Sequence, residues 1–363
     1  MKTPKNKTYY YIEEDLNLYP DAWCYIIVGG RNTGKTYSTL MHYLLEKQKI
    51  VFCKRTNDDV DMLCAGNSVG KKSAEYEVDF SPYKSINRDL GTSVKAYKIH
   101  KGMGGFYDQD ADGFAKGAPI SYLVSLFAVS KIKGFDMSDA EAIVFDEFIP
   151  QPWDRINRKE GEQLMDLYKT VSRDKFIRTG KELKLICLAN AVNVWNPTCE
   201  ILEITDRMAD MSAKHLNVFY DEERRILIHM IETPELMLEK EKETGIYQTM
   251  KDTNWGRMAF GNEFGYNDFS RIRKLPLKGF RPIVSIEYKT KQWYIYSDDE
   301  RWYMTASPAP NIKTYNLNTE TGQKAFYYDY VVDLDEYTTE ERMWYENYTM
   351  YDTIVNYRKR FII

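Results

Sequence analysis

The chain has 363 residues, 43% hydrophobic and 29% charged, with a formal net charge of −4. That length supports a large core plus a second body, and the mild acidity means any nucleic-acid contact must rest on local basic patches rather than bulk attraction. No apolar run approaches the ~20 residues that span a bilayer, and the basic N-terminus lacks the apolar segment of a secretory signal, so the expected place is the cytoplasm of the producing cell.

Residues 1–21 read as a polar, Tyr-rich arm packing beside the first strand. Residues 23–28 are apolar throughout, as parallel strands buried on both faces are, and run into Gly29, Gly30, Arg31, Asn32, Thr33, Gly34, Lys35 and Thr36. This fits the G-x-x-x-x-G-K-[ST] pattern, strand before and helix after. Glycines allow the tight turn that aims successive N–H groups at phosphate oxygens. Lys35 supplies a compact positive charge for the β- and γ-phosphates, the Thr36 hydroxyl is a Mg²⁺ ligand, and the following helix (35–48) points its positive end at the same anion. A nucleoside triphosphate with Mg²⁺ is the expected ligand.

A second apolar strand, 50–55, ends in Lys54 and Arg55, at the carboxyl end where ligands bind in open α/β sheets. With the helix near 57–66 it makes a βαβ unit. Residues 67–118 read as an insertion, a β-hairpin excursion rather than a core element. Strand 119–126 is followed by Ser130–Gly134, and the apolar run 142–145 ends in Asp146 and Glu147. An acid at that tip can hold the metal, and a second acid beside it can orient and polarise the attacking water. A helix over 158–176 carries Arg173 near its end. Strand 183–188 leads to Asn190, suited to bond the γ-phosphate or the attacking water, and Asn196-Pro197 opens a helix to about 204. Two short strands, 215–220 and 225–231, and a charged helical stretch, 235–252, complete this half.

The last third changes character. Alternating strands at 282–288, 292–296 and 301–305 form a meander, with helical pattern at 339–347 and 351–361. Arg271, Arg273, Lys274, Lys278, Arg281, Arg358 and Arg360 are basic positions near aromatics, candidates for phosphate contacts that read no base sequence. Five cysteines lack C-x-x-C spacing and read as reduced, packed thiols, and four histidines show no metal-ligand spacing.

The expected fold is α/β: a P-loop ATPase of the ASCE type with a mostly parallel central sheet over 1–235, a helical linker or lid over 236–266, and a small α+β domain over 267–363. The Gly29–Thr36 loop, the string Ala142–Phe148 (AIVFDEF) and the tip Ile186–Pro197 (ICLANAVNVWNP) together resemble the DNA encapsidation proteins of the phi-29-type bacteriophages. The resemblance implies an ATPase that drives double-stranded DNA into a preformed capsid as a homopentameric ring at the portal vertex, and leaves open a packaging RNA as a further partner. It implies a host-cytoplasmic protein that docks transiently on the procapsid and is absent from the mature virion. It gives Lys35 and Thr36 to phosphates and Mg²⁺, Asp146 to the metal and Glu147 to catalysis. Arg173, or Arg178, becomes an arginine finger acting in trans. Lys131 and Lys133 both fit a second trans-acting position, Lys133 being favoured. The C-terminal domain would resemble a ribonuclease-H-like nuclease fold that has lost its catalytic acids. The alternative is a terminase-like ATPase whose C-terminal domain still cuts DNA, using Glu287, Asp298 and Asp299.

Overall fold

The computed structural model describes residues 9–72, 79–154, 156–232, 235–260, 264, 267–298 and 300–361. The chain divides into two compact units, residues 1–202 with 215–266, and residues 203–214 with 267–363. Among the described residues no helix is long and apolar enough to cross a membrane.

The first unit is built on a nine-stranded sheet: β1 (Cys24–Gly29), β2 (Lys49–Lys54), β3 (Val94–His100), β4 (Met103–Gln109), β5 (Ala115–Ser125), β6 (Ala140–Asp146), β7 (Lys184–Ala189), β8 (Val218–Asp221) and β9 (Ile226–Ile231), in the order β3-β4-β5-β2-β6-β7-β1-β9-β8. From β5 to β9 in that order the neighbours run parallel, and antiparallel pairs flank them on both sides. β7 lies between β1 and β6, with Val28 opposite Ala189 and Asp146 opposite Leu188. The carboxyl tips of all three strands therefore share one edge. Tyr25, Ile27, Phe52, Val144 and Ile186 pack with Leu40 and Met41 of the helix Lys35–Leu45 in one core. Each such fully buried side chain contributes about 1.5–3 kcal/mol. All five cysteines are buried thiols of this unit, outside any disulfide.

Three expectations change here. The hairpin within 67–118 is not an excursion: β3 and β4 extend the sheet, and Val94, Ala96 and Phe106 belong to the same core as Phe52. The β5 strand begins at Ala115, four residues before the expected start, because it continues the pairing with β4. The N-terminal arm contains a helix, Ile12–Leu18, and is tied to the sheet by Asp15, which accepts from Tyr10 Oη at 2.6 Å and contacts His229 Nδ1 at 2.8 Å.

The second unit has a five-stranded sheet from β10 (Arg281–Tyr288), β11 (Lys291–Ser297), β12 (Trp302–Thr305), β13 (Thr314–Asn316) and β14 (Met343–Tyr345), in the order β13-β10-β11-β12-β14. The meander is β10 to β12, and the outer strands β13 and β14 pair parallel to it. The helix expected at 339–347 is instead strand β14. A continuous helical run at 320–339 takes its place, containing a π turn at Tyr327–Val331. That turn shifts the buried positions to Phe326, Tyr327, Val331 and Leu334, which breaks the 3.6-residue period a helix is recognised by. The domain limits also differ from 1–235, 236–266 and 267–363. The helix Thr205–Ala213 belongs to the second unit, where Asp206 accepts from the Thr349 backbone N–H and hydroxyl at 2.7 Å each. Residues 236–266 fall within the first unit.

Arg360, a candidate DNA contact, is buried. Its Nε donates to Asp352 Oδ2 at 2.8 Å, and Asp352 is itself fully buried. A guanidinium held this way is unavailable to phosphate, so that assignment is corrected to a structural one. Breaking one side of a buried pair costs about 3–5 kcal/mol, whereas replacing both by apolar groups is often near neutral. Arg360→Leu should accordingly lower the urea midpoint of the second unit's unfolding, and Arg360→Met with Asp352→Leu should recover most of it.

Candidate active site

Between β1 and the helix Lys35–Leu45 the backbone turns through left-handed conformations at Asn32 (φ +61°) and Gly34 (φ +89°). A side chain at Gly34 would be strained by that φ and would also meet Tyr9 Cβ at 3.3 Å. The turn is braced from inside by Thr33 Oγ1, which donates to Gly30 O at 3.0 Å, and from outside by Tyr10 N, which donates to Thr33 O at 2.9 Å. The Lys35 ammonium is buried in the loop it follows. It donates to the carbonyls of Gly29 (2.9 Å) and Gly30 (2.7 Å), to Thr33 Oγ1 (3.2 Å) and to Asn190 Oδ1 (3.4 Å). Burial pulls its pKa down to about 8, with the Asp146 charge acting in the opposite sense.

The tip of β6 faces this loop. Thr36 Oγ1 donates to Asp146 Oδ1 at 2.8 Å. The other Asp146 oxygen accepts from Lys54 Nζ at 3.0 Å, and the same ammonium reaches Glu147 Oε2 at 2.9 Å. Burial alone would lower the Lys54 pKa; the two carboxylates outweigh it and hold the ammonium above the ordinary lysine range. Glu147 has a left-handed backbone (φ +59°), a conformation costing about 1–3 kcal/mol away from glycine. Three contacts hold the turn. Arg55 Nη2 donates to Glu147 O at 2.9 Å and to Phe148 O at 3.1 Å, and Phe148 N donates to Leu188 O of β7 at 3.1 Å. Arg55 Nε is in turn fixed by Glu160 Oε2 at 2.7 Å. Burial raises the Glu160 pKa, with Arg55 opposing.

Loop, acids and Asn190 line one open pocket of about 440 Å³, together with Arg31, Tyr37 and Gln151. Its floor has the makings of a Mg²⁺ site, since Thr36 and Asp146 bring two hard oxygens together. Among the described residues no group of three or more His, Cys, Asp or Glu side chains could hold a metal. A cation here would depend on oxygens brought by a ligand, which suits Mg²⁺ arriving with a triphosphate.

Gly29, Gly30, Arg31, Asn32, Thr33, Gly34, Lys35, Thr36, Asp146, Glu147 and Asn190 are thus brought together, as the sequence suggested. Lys54 and Arg55 had only their strand-end position as a signal, and Gln151 had none. Arg173 and Lys133 lie elsewhere on the unit, side by side. Arg173 has a left-handed backbone (φ +35°), and its guanidinium donates to Phe135 O at 2.7 Å and Lys133 O at 3.4 Å. Lys133 pairs with Asp166 at 3.2 Å, and Arg178 with Asp174 at 2.9 Å. In the second unit Arg273 lies 4.0 Å and Arg271 4.9 Å from the Trp344 ring centroid. Lys274 is exposed beside Glu346, and Arg358 lies over the Tyr327 ring at 5.1 Å. Glu287 is exposed on β10, and the Asp298 carboxylate accepts from Glu300 N and from the Arg301 guanidinium. Asp299 lies outside the described residues.

A sequence model of the podovirus DNA encapsidation proteins (Gp16) matches residues 5–343. The chain belongs to that family. Among individual relatives, a DNA packaging protein of Bacillus phage B103 is 24% identical over 297 residues, covering 79% of this chain and 78% of its own. Two solved structures share the fold across both units. The phi-28 gp11 DNA packaging motor aligns at TM-score 0.62 and 17% identity, covering 99% of each chain. The bacteriophage phi-29 viral genome packaging motor assembly aligns at the same score and identity, covering 97% of this chain and 99% of that one.

The Lys35 titration gives this encapsidation-family site a pH signature. A Lys35 that holds phosphate would do so as the ammonium, so the group would be protonated on binding wherever it is neutral beforehand. Above pH 8, ATP affinity should fall about tenfold per pH unit. Calorimetry in buffers of different ionisation heat should show proton uptake there and none at pH 6.5.

Proposed function

We propose that this chain is the ATP-hydrolysing subunit of a motor that drives double-stranded DNA into a preformed phage capsid, working as a ring at the portal vertex. Membership of the encapsidation family supplies the biological task. The observation that carries the chemistry is the convergence of Lys35, Thr36, Asp146, Glu147 and Asn190 at the tips of three adjacent parallel strands.

Backbone N–H groups of the Gly29–Thr36 loop and the Lys35 ammonium hold the triphosphate. Mg²⁺ held by Thr36 and Asp146 would offset charge on the β- and γ-phosphate oxygens. Glu147 accepts a proton from the attacking water as its oxygen bonds to the γ-phosphorus, and the bond from that phosphorus to the β,γ-bridging oxygen breaks, leaving ADP and phosphate. Lys54 holds Glu147 by an ion pair, so release of that contact sets when the base is available. Asn190, already bonded to Lys35, is placed to register the γ-phosphate.

Arg173 is read as the finger that stabilises transition-state charge in a neighbouring subunit's site. Its support is position: it is absent from its own pocket's lining and shares a surface with Lys133, the second trans-acting candidate. Arg178 lies one turn on, tied to its own helix by Asp174. The pentameric count, the packaging RNA and the departure of the motor before virion maturation belong to the same reading, by family resemblance. The second unit is read as the nuclease-like module without cutting activity. The engagement of Asp298 with Arg301 favours that over the nicking alternative. Arg271, Arg273, Lys274 and Arg358 remain its candidate phosphate contacts.

With empty capsids and ATP, the protein should protect DNA from added nuclease; ATP turnover without protected DNA would refute the packaging role. Glu147→Gln should bind ATP normally and hydrolyse none of it. Arg173→Ala should lose about 10³–10⁵ in turnover with ATP affinity kept. Equal hydrolysis by Glu147→Gln and wild type would remove Glu147 from the chemistry.

A further inference from the structure

Arg55 lies 3.9 Å from Asp154 through Nη1 and donates to three further partners. Nε donates to Glu160, and Nη2 to the carbonyls of Glu147 and Phe148. Glu160 is fully buried and is the first residue of the helix Glu160–Ser172, directly after which stands Arg173. Head and tail of that helix are about 20 Å apart at 1.5 Å per residue. The helix is hydrogen-bonded throughout, so displacement of its head carries the tail with it, and Leu164, Leu167 and Val171 are buried along its length. A second contact reaches the same head. A Cβ on Gly161 would fall 2.3 Å from the Pro197 carbonyl oxygen, and the segment ending at Pro197 begins at Asn190. The turn bearing Glu147 and the segment bearing Asn190 thus both bear on the start of the helix that ends at Arg173.

We propose that Arg55 is a positioning residue for both halves of the reaction: it sets Glu147 over its own subunit's phosphate site and, through Glu160 and the helix, sets Arg173 for the next subunit's site. The inference rests on reading Arg173 as a finger that acts in trans. An arginine suits the place because its planar fork fixes the directions in which a carboxylate and two carbonyls are held, which an ammonium on a flexible stem does not. The link runs in series through packed parts: phosphate site, Asp146–Glu147 turn, Arg55–Glu160, helix, finger.

Subunit mixing separates the two roles. Arg173→Ala subunits keep a complete phosphate site and offer no finger; Lys35→Ala subunits offer a finger and bind no triphosphate. Mixed in equal amounts with DNA and empty capsids, the two should regain ATP hydrolysis that neither shows alone. Failure of that control refutes the trans reading itself, whatever Arg55 does. Arg55→Lys is then placed in one partner or the other. On the site-providing subunit hydrolysis should fall about 100-fold, the scale of a misplaced catalytic group. On the finger-providing subunit it should fall about tenfold or more, with the KM for ATP unchanged, since that subunit's own site is not in use. A defect on the site side alone overturns the proposal, because Arg55 would then serve Glu147 only. Arg55→Met with Glu160→Leu replaces the pair by apolar volume and guards against misfolding. It should melt near the wild-type temperature while both mixing defects persist; restored mixing activity would reduce the pair to packing and end the proposal.

Discussion

The register of β1, β7 and β6 is the constraint on which the rest depends. All three strands run parallel, so their carboxyl tips must end on the same edge, and each is buried on both faces. Sliding one by a single residue would exchange its two buried faces and move its tip out of line. With Val28 opposite Ala189 and Asp146 opposite Leu188, the loop that follows β1 and the two acids at the end of β6 arrive on the same edge of the sheet. The Thr36–Asp146 hydrogen bond is the direct readout of that alignment.

Charge is balanced in the same place by two lysines of opposite character. Lys35 is a cation cut off from water, and that burial makes it easier to deprotonate although carbonyl oxygens accept its N–H groups. Lys54 sits between two carboxylates and is held firmly charged. The two lysines thus hold the carbonyls of the loop and the carboxylates of the β6 tip in place in this structure.

The loop, both acids and the Asn190 tip were legible because each follows an uninterrupted apolar run, and such runs announce buried parallel strands together with their ends. What stayed hidden depends on distant pairing. Lys54 and Arg55 could be placed at a strand end, but their partners Asp146, Glu147 and Glu160 lie about 90 to 105 residues on and meet them only through sheet order. The β3–β4 hairpin looked peripheral because glycines and charges dilute its alternation, although Phe106 packs 5.8 Å from Phe52. The helical run over 320–339 was lost to one extra residue in its π turn, and Arg360 resembled a surface cation because its neighbours in sequence, Arg358 and Lys359, are ones.

The antiparallel strands at the two flanks of the large sheet carry a different consequence. The adjacent strands β2, β6, β7 and β1 all end in site residues, so length can be gained or lost there only at the cost of the alignment. β3 and β4 on one side and β8 on the other attach by hairpins, outside that row. The architecture separates a part that must stay constant from margins that are free to grow. An ATPase of this design can acquire new surface for capsid or nucleic acid at its borders while the hydrolytic row keeps its spacing.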